Sequence, residues 1–168
     1  MKLADRTLCR ENCTFSFKEK LEICRQLERL RVDVIELPAI ENPKTDVLFV
    51  RTVSSFIADS ILSVSVGMTE EECQAKGRAY EAKSLPMAYS GRFVAENEGS
   101  EGLCKIIIDK KKRNILGVHI IGAYAGEMIW GAAQMIEMQL RVTDARQIIF
   151  PHPTVSEIIR ETLWEFPD

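Results

Sequence analysis

The sequence predicts an α+β chain in which a β-α-β-α-β opening passes into an antiparallel hairpin and then into helices. Three observations predict it. Apolar residues recur at spacings of three and four from Ser16 to Leu30, and the strand-like run V-D-V-I-E-L follows at Val32 to Leu37. Two runs rich in β-branched residues, Leu103 to Ile108 and Ile115 to Ile121, flank a charged turn at Lys110 to Asn114. A long apolar helix pattern, Ala125 to Gln139, comes only after those strands, the order expected of α+β chains.

In chain order, Lys2 to Leu8 is a short strand candidate. Ser16, with Glu19 three residues on, forms a capping box that starts the first helix, whose apolar stripe is Phe17, Leu21, Cys24, Leu27 and Leu30. Pro38 ends the strand at Val32 to Leu37. Pro43 opens a second helix through about Ala58, with Val47, Val50 and Val53 on one face, and Ile61 to Val66 is a third strand. Alternation of this kind is the grammar of a parallel sheet. Thr69, with Glu72, caps a short helix to Gly77. Ala79 to Ala95 reads as short strands broken by Pro86 and Gly91. Thr143 to Ile149 is a short helix, a Pro-His-Pro corner follows, and the last helix runs from Ser156. The chain divides into residues 1–63 and 64–168, with the join inside the third strand, so the halves are expected to be physically continuous.

Composition excludes several classes. With 46 % hydrophobic and 28 % charged residues the chain has ordinary globular values, and its net charge of −3 provides no basic field for nucleic acid. The run Lys110 to Arg113 reads as a solvated hairpin turn rather than a phosphate patch. No apolar run approaches the roughly 20 residues that span a bilayer, and Met1 to Arg10 lacks the apolar core of a signal peptide. A cytoplasmic protein with no membrane and no nucleic-acid partner is expected. The 5 cysteines are odd in number and scattered, which favours free thiols over a disulfide framework. Cys9 and Cys13 form C-x-x-x-C with no histidine near in sequence, so no metal site is expected there.

The segment that carries chemistry is Pro151-His152-Pro153-Thr154-Val155-Ser156-Glu157. Prolines on both sides restrict the backbone of His152 and favour a fixed imidazole. Glu157 lies five residues on, where a carboxylate could orient that imidazole as an acid–base pair. The same residues also spell a capping box, Thr154 with Glu157, so the glutamate could serve only the helix start. His119, in an alternating strand between Val118 and Ile120, reads as structural.

From about Ser65 onward the chain resembles the C-terminal interface domain of the pyridine nucleotide–disulfide oxidoreductases, nearest to dihydrolipoamide dehydrogenase. The resemblance rests on V-G-M-T-E-E-E at Val66 to Glu72, S-G-R at Ser90 to Arg92 and E-G-L-C-K-I-I-I-D at Glu101 to Asp109. It continues in I-L-G-V-H-I-I-G-A-Y-A-G-E-M-I at Ile115 to Ile129 and H-P-T-V-S-E at His152 to Glu157. It implies an antiparallel sheet with helices on one side, and a homodimer whose two-fold interface includes the helix from Ala125 to about Gln139; the apolar Met128, Ile129, Trp130, Met135 and Ile136 of that helix fit either that role or simple core packing. It also implies that His152 acts in trans as the acid–base residue beside a dithiol and flavin of the other subunit, oriented by Glu157. The backbone at His152 and Pro153 would then approach the partner's flavin.

That family binds FAD and NAD on folds that open with Gly-x-Gly-x-x-Gly turns and carries a C-x-x-x-x-C redox disulfide. None of these patterns occurs in the 168 residues, and Gly117, Gly122 and Gly126 have other spacings. The chain is therefore expected to bind no cofactor of its own and to have no standalone activity.

Residues Lys2 to about Ser63 resemble the opening of the homocitrate and isopropylmalate synthase barrels. The resemblance lies in Asp5-Arg6-Thr7-Leu8, the helix Phe15 to Leu30, and V-D-V-I-E-L-P at Val32 to Pro38. It implies a β-α-β-α-β fragment of a TIM barrel. That family's metal-binding Arg-Asp pair has Arg10 and Glu11 as its nearest counterparts, and its His-x-His pair has none, so no metal is expected.

Three readings follow: a homodimerising interface module that does not catalyse alone, an oxidoreductase component supplying His152 to a separate flavoprotein subunit, or a recombined or designed fusion without selected activity.

Overall fold

The computed structural model describes residues 3–10, 14–42 and 44–167. Lys2, Glu11, Cys13 and Pro43, on which parts of the first strand, the C-x-x-x-C pair, the barrel-type metal pair and the second helix were expected to rest, lie outside the described residues.

The strands are β1 (Ala4–Asp5), β2 (Val34–Glu36), β3 (Ile61–Gly67), β4 (Tyr80–Pro86), β5 (Leu103–Asp109) and β6 (Ile115–Ile121). They form one six-stranded sheet in the order β1-β2-β3-β6-β5-β4. β1, β2 and β3 run parallel, while β3–β6, β6–β5 and β5–β4 are antiparallel pairs. This corrects the expectation of an antiparallel sheet: the sheet is mixed, and the two halves are continuous through β3, as the position of the join implied. A strand has two edges, and β3 uses both, pairing Ile35 with Leu62 on one side and Ser65 with His119 on the other. Which edge a strand offers to which partner is not written in its periodicity.

The helices are α1 (Phe17–Arg29), α2 (Thr45–Ser54), α3 (Glu70–Ala75), α4 (Gly91–Glu96), α5 (Ala125–Glu137), α6 (Val142–Ala145) and α7 (Glu157–Trp164). Both predicted capping boxes are present. Ser16 and Glu19 exchange hydrogen bonds at the start of α1, and Thr69 and Glu72 at the start of α3. α5 packs on β3 and β6, α7 on β4 and β5, and α2 against α5. Their apolar faces share one core with Cys104, Ile106, Val118 and Ile120 of the sheet. Gly126 permits the α2–α5 approach, since a Cβ there would come within 1.9 Å of Ser54 Oγ. α3 is the exception to helices on one side. Cys73 packs with Ile107 and Leu116 in a small cluster on the opposite face, because successive strand residues point to opposite faces.

Several elements differ from expectation for local reasons. The first strand is two residues long because the Asp5 carboxylate accepts from Thr7 N (2.9 Å) and Thr7 Oγ1 (3.1 Å), turning the chain into a 3₁₀ turn at Thr7–Cys9. Ser90-Gly91-Arg92 opens α4 instead of a turn between strands, with Ser90 Oγ accepting from Phe93 N at 3.3 Å. The helix expected over Thr143 to Ile149 is a single turn, α6. No helix of the described residues is long and apolar enough to cross a membrane.

Candidate functional site

The corner between α6 and α7 presents His152 on the surface. Its side chain is 80 % exposed, while Glu157, the first residue of α7, is 8 % exposed. Nδ1 of His152 lies 3.0 and 3.1 Å from the two Glu157 carboxylate oxygens. An imidazole donating through Nδ1 to a carboxylate has its tautomer fixed, leaving the Nε2 lone pair as the exposed base. Nε2 has no partner among the described residues. The His152–Pro153 peptide is cis.

Glu157 serves both roles that the spacing left open. Its Oε2 accepts from Thr154 N at 2.9 Å, which is one half of a capping box. The reciprocal half is absent, because Thr154 Oγ1 donates instead to Pro151 O at 2.7 Å and lies 3.0 Å from Ser156 Oγ. Arg160, one turn along α7, adds a contact to Glu157 Oε1 at 3.2 Å. The Thr154 N–H holds the Glu157 carboxyl below the usual carboxylate range against the opposing effect of burial, and His152 and Arg160 pull the same way. Thr154 was expected from sequence as the capping partner of Glu157, whereas Arg160 was not. The three-residue spacing from Glu157 to Arg160 on a helix is the signal that could have found Arg160.

Pro153 is exposed beside His152 and lines a groove of about 470 Å³ with Tyr124, Trp130, Phe150 and Val155. Of the apolar residues on α5, Met128, Ile129 and Met135 are buried in the core, whereas Trp130 is 51 % exposed on the groove side. Ser90 Oγ, at the cap of α4, donates to Thr154 O at 3.2 Å and ties the histidine corner to the body of the fold.

Other candidate groups are occupied structurally. His119 Nε2 donates to Met68 O at 3.2 Å, and burial pushes its pKa down. Cys24 and Cys104 are buried, with thiol pKa values pushed up to about 12 by desolvation, and Cys9, also desolvated, is pushed up to about 11. Thiols so held are poor nucleophiles at neutral pH. Arg10 follows the 3₁₀ turn at Thr7–Cys9 and is exposed, and it is Arg6, not Arg10, that pairs with Glu36, at 2.8 Å. Among the described residues no cluster of three or more His, Cys, Asp or Glu side chains could hold a metal ion.

Residues 54–163 match the family model described as the pyridine nucleotide-disulphide oxidoreductase dimerisation domain. The chain is 40 % identical over 96 residues to the mitochondrial dihydrolipoyl dehydrogenase of Caenorhabditis elegans, covering 57 % of this chain and 19 % of that protein. It is 40 % identical over 94 residues to the dihydrolipoyl dehydrogenase of Haemophilus influenzae, covering 56 % and 20 %. The chain thus spans about a fifth of the length of these curated relatives. Among solved structures, it resembles the HOCl-induced flavoprotein disulfide reductase RclA from Escherichia coli. The TM-score is 0.57 and the identity 28 %, over 61 % of this chain and 23 % of that one. LpdA from Mycobacterium tuberculosis shares the fold, with a TM-score of 0.55 at 22 % identity, over 60 % of this chain and 22 % of that one. By a match that spans most of its length and takes in the His152–Glu157 corner, the chain belongs to the pyridine nucleotide-disulphide oxidoreductase family through its dimerisation domain.

Proposed function

We propose that the chain is the homodimerising interface module of a dihydrolipoamide-dehydrogenase-like disulfide oxidoreductase, and that it presents His152 to a redox centre carried by another polypeptide segment. The observation that carries this reading is the pair itself: an imidazole held at Nδ1 by a buried carboxylate, with Nε2 unpartnered and facing outward. In that role Nε2 accepts a proton from a thiol, leaving a thiolate, and returns it when the thiol re-forms. Glu157 orients the ring and stabilises the imidazolium.

The residues that suit a flavin neighbour are His152 and the backbone at Pro153, both exposed, which fits a cofactor held by a partner rather than by this chain. A bound flavin would supply the electron transfer, and this chain the proton at Nε2. By itself the 168-residue chain is not catalytic on this reading. Self-association is favoured by Trp130 at 51 %, Met138 at 70 % and Ile149 at 91 % exposure, which leave apolar surface on α5 and the adjoining corner.

The division at residues 63 and 64 is retained as part of the proposal, with the first segment derived from a synthase-type barrel. Three parallel strands joined by α1 and α2, both on the core side of the sheet, fit such a fragment.

Light scattering on the purified chain tests the module reading. A mass of twice 19.1 kDa is expected, and a monomer at high micromolar concentration overturns it. A second reading, that the chain completes a separately encoded flavoprotein, is favoured by the 80 % exposure of His152. It requires that dihydrolipoamide oxidation by the mixture fall at least about 100-fold in His152→Ala.

A further inference from the structure

The turn between β5 and β6 does not stand alone in solvent. It closes one wall of a cleft of about 640 Å³ on the side of the molecule where α5 passes into α6. Five cationic side chains from three segments line it: Arg78 from the α3–β4 connection, Lys111, Lys112 and Arg113 from the turn, and Arg141 from the cap of α6. No acidic, aromatic or aliphatic residue lines it.

The walls are held rigidly. The Asp109 carboxylate accepts from the backbone of Lys111 (3.0 Å) and Lys112 (2.7 Å), fixing the turn. Val142 N donates to Arg113 O at 3.0 Å and Ile115 N to Leu140 O at 2.9 Å, which pins the turn to the α5–α6 connection through the Asn114–Arg141 bridge. Two of the cations are partly neutralised, Arg78 by Asp109 at 3.1 Å and Arg113 by Glu81 at 3.0 Å. Lys111, Lys112 and Arg141 have no acidic partner among the described residues.

We propose that this cleft is a binding site for a compact oligophosphate anion, of the class of pyrophosphate and tripolyphosphate or the same group on a nucleotide. Three unpaired cations in one pre-formed concavity concentrate positive potential within a Debye length. Charge-assisted N–H···O bonds from lysine and arginine are the contacts such an anion takes. No aromatic side chain lines the cleft, and the charged groups it offers are those that bind phosphate oxygens. The site lies apart from the His152 corner and does not depend on the proposed oxidoreductase role.

The test is calorimetric titration of the full chain with tripolyphosphate, pyrophosphate, orthophosphate and ATP at 50 and 300 mM salt. The result expected is saturable binding that strengthens with phosphate number, weakens at least threefold at the higher salt, and is within threefold for ATP and tripolyphosphate. Binding of ATP tenfold tighter than tripolyphosphate would show that the base or sugar is recognised and overturns the proposal. The variant K111Q/K112Q/R141Q is expected to lose at least tenfold in affinity. K18Q/K83Q/R29Q, with the same change of charge on exposed positions elsewhere, should lose less than twofold. Should the first variant not fold, amide shifts in the unmodified protein decide: perturbations at Lys111, Lys112, Asn114 and Thr143 support the site. No saturable binding, equal loss in both variants, perturbations elsewhere, or binding to single-stranded RNA without binding to tripolyphosphate overturns the proposal.

Discussion

Gly67 and Gly117 face each other where β3 meets β6, and neither position has room for a side chain. A Cβ on Gly67 would lie 2.2 Å from Leu116 O, and one on Gly117 would lie 2.0 Å from Met68 O. Gly67 also has a positive φ of 76°, the region that glycine adopts without steric cost. Gly67 ends β3, the strand that joins the parallel and antiparallel parts of the sheet.

Gly117→Ala is therefore expected to lower stability by about 2–3 kcal/mol, the upper end of overpacking costs, because the obstructing atoms are backbone and cannot rotate away. Urea unfolding checks it through the midpoint. Gly91→Ala, where a Cβ meets nothing within 4 Å, should stay within about 1 kcal/mol of the parent. Equal effects of the two changes would show that the seam is not close-packed.

Glu157→Gln keeps the shape of the side chain and removes its charge. It should cost about 1–2 kcal/mol at neutral pH, since Thr154 N, His152 and Arg160 all turn toward the carboxylate. The pH dependence has a definite sign. The folded-state pKa of Glu157 is lowered from 4.5, so its contribution is present above about 4.5 and is lost as pH falls through the folded value. The stability gap between parent and variant should close on acidification. A gap that widens below pH 4 would contradict the geometry.

Glu28, on the last turn of α1, accepts from Ala58 N and Asp59 N at 2.7 Å and from Ser60 N at 3.1 Å. Burial raises its pKa, but these bonds outweigh burial and the net shift is downward. Glu28→Ala should release the loop before β3, and hydrogen exchange at residues 58–60 should quicken by at least about tenfold while the β5 amides stay protected. Unchanged exchange at those amides would mean that the loop is held by other contacts.

The buried thiols lead to a chemical prediction. Cys24, Cys73 and Cys104 should resist iodoacetamide in the native state at pH 8 and react after denaturation, with Cys9 the first of the four to be labelled natively. Peptide mapping by mass spectrometry reads the order. Native labelling of Cys104 ahead of Cys9 would show that the sheet opens more readily than its packing implies.

If α5 forms the two-fold interface proposed above, Trp130→Glu should weaken self-association at least tenfold without lowering the melting temperature of the monomer, because the indole is half exposed in the isolated chain. Sedimentation at a series of concentrations distinguishes this from a variant that merely fails to fold.

What the sequence determined by itself were the features carried within a few residues. The capping boxes at Ser16 and Thr69, the β5–β6 hairpin and the His152–Glu157 spacing depend on local periodicity and short-range hydrogen bonds, and all are present in the fold; of the apolar stripe of α1, Leu21, Cys24 and Leu27 pack in the core while Phe17 and Leu30 are exposed. The family was legible in the sequence too, because blocks of residues from Val66 to Glu157 keep their order. What only the tertiary structure decided depends on contacts across tens or more residues. The pairing of β3 with both β2 and β6 made the sheet mixed where an antiparallel one was expected. Burial separated Ile129 from Trp130 on the same helix, leaving the first in the core and the second on the surface. The Lys110 to Arg113 turn, a solvated hairpin by its sequence, acquired Arg78 and Arg141 as neighbours only because β4 and α6 fold back beside it. Backbone pairing and side-chain convergence at long range are set by which surfaces can be buried together, and a one-dimensional pattern does not encode that choice.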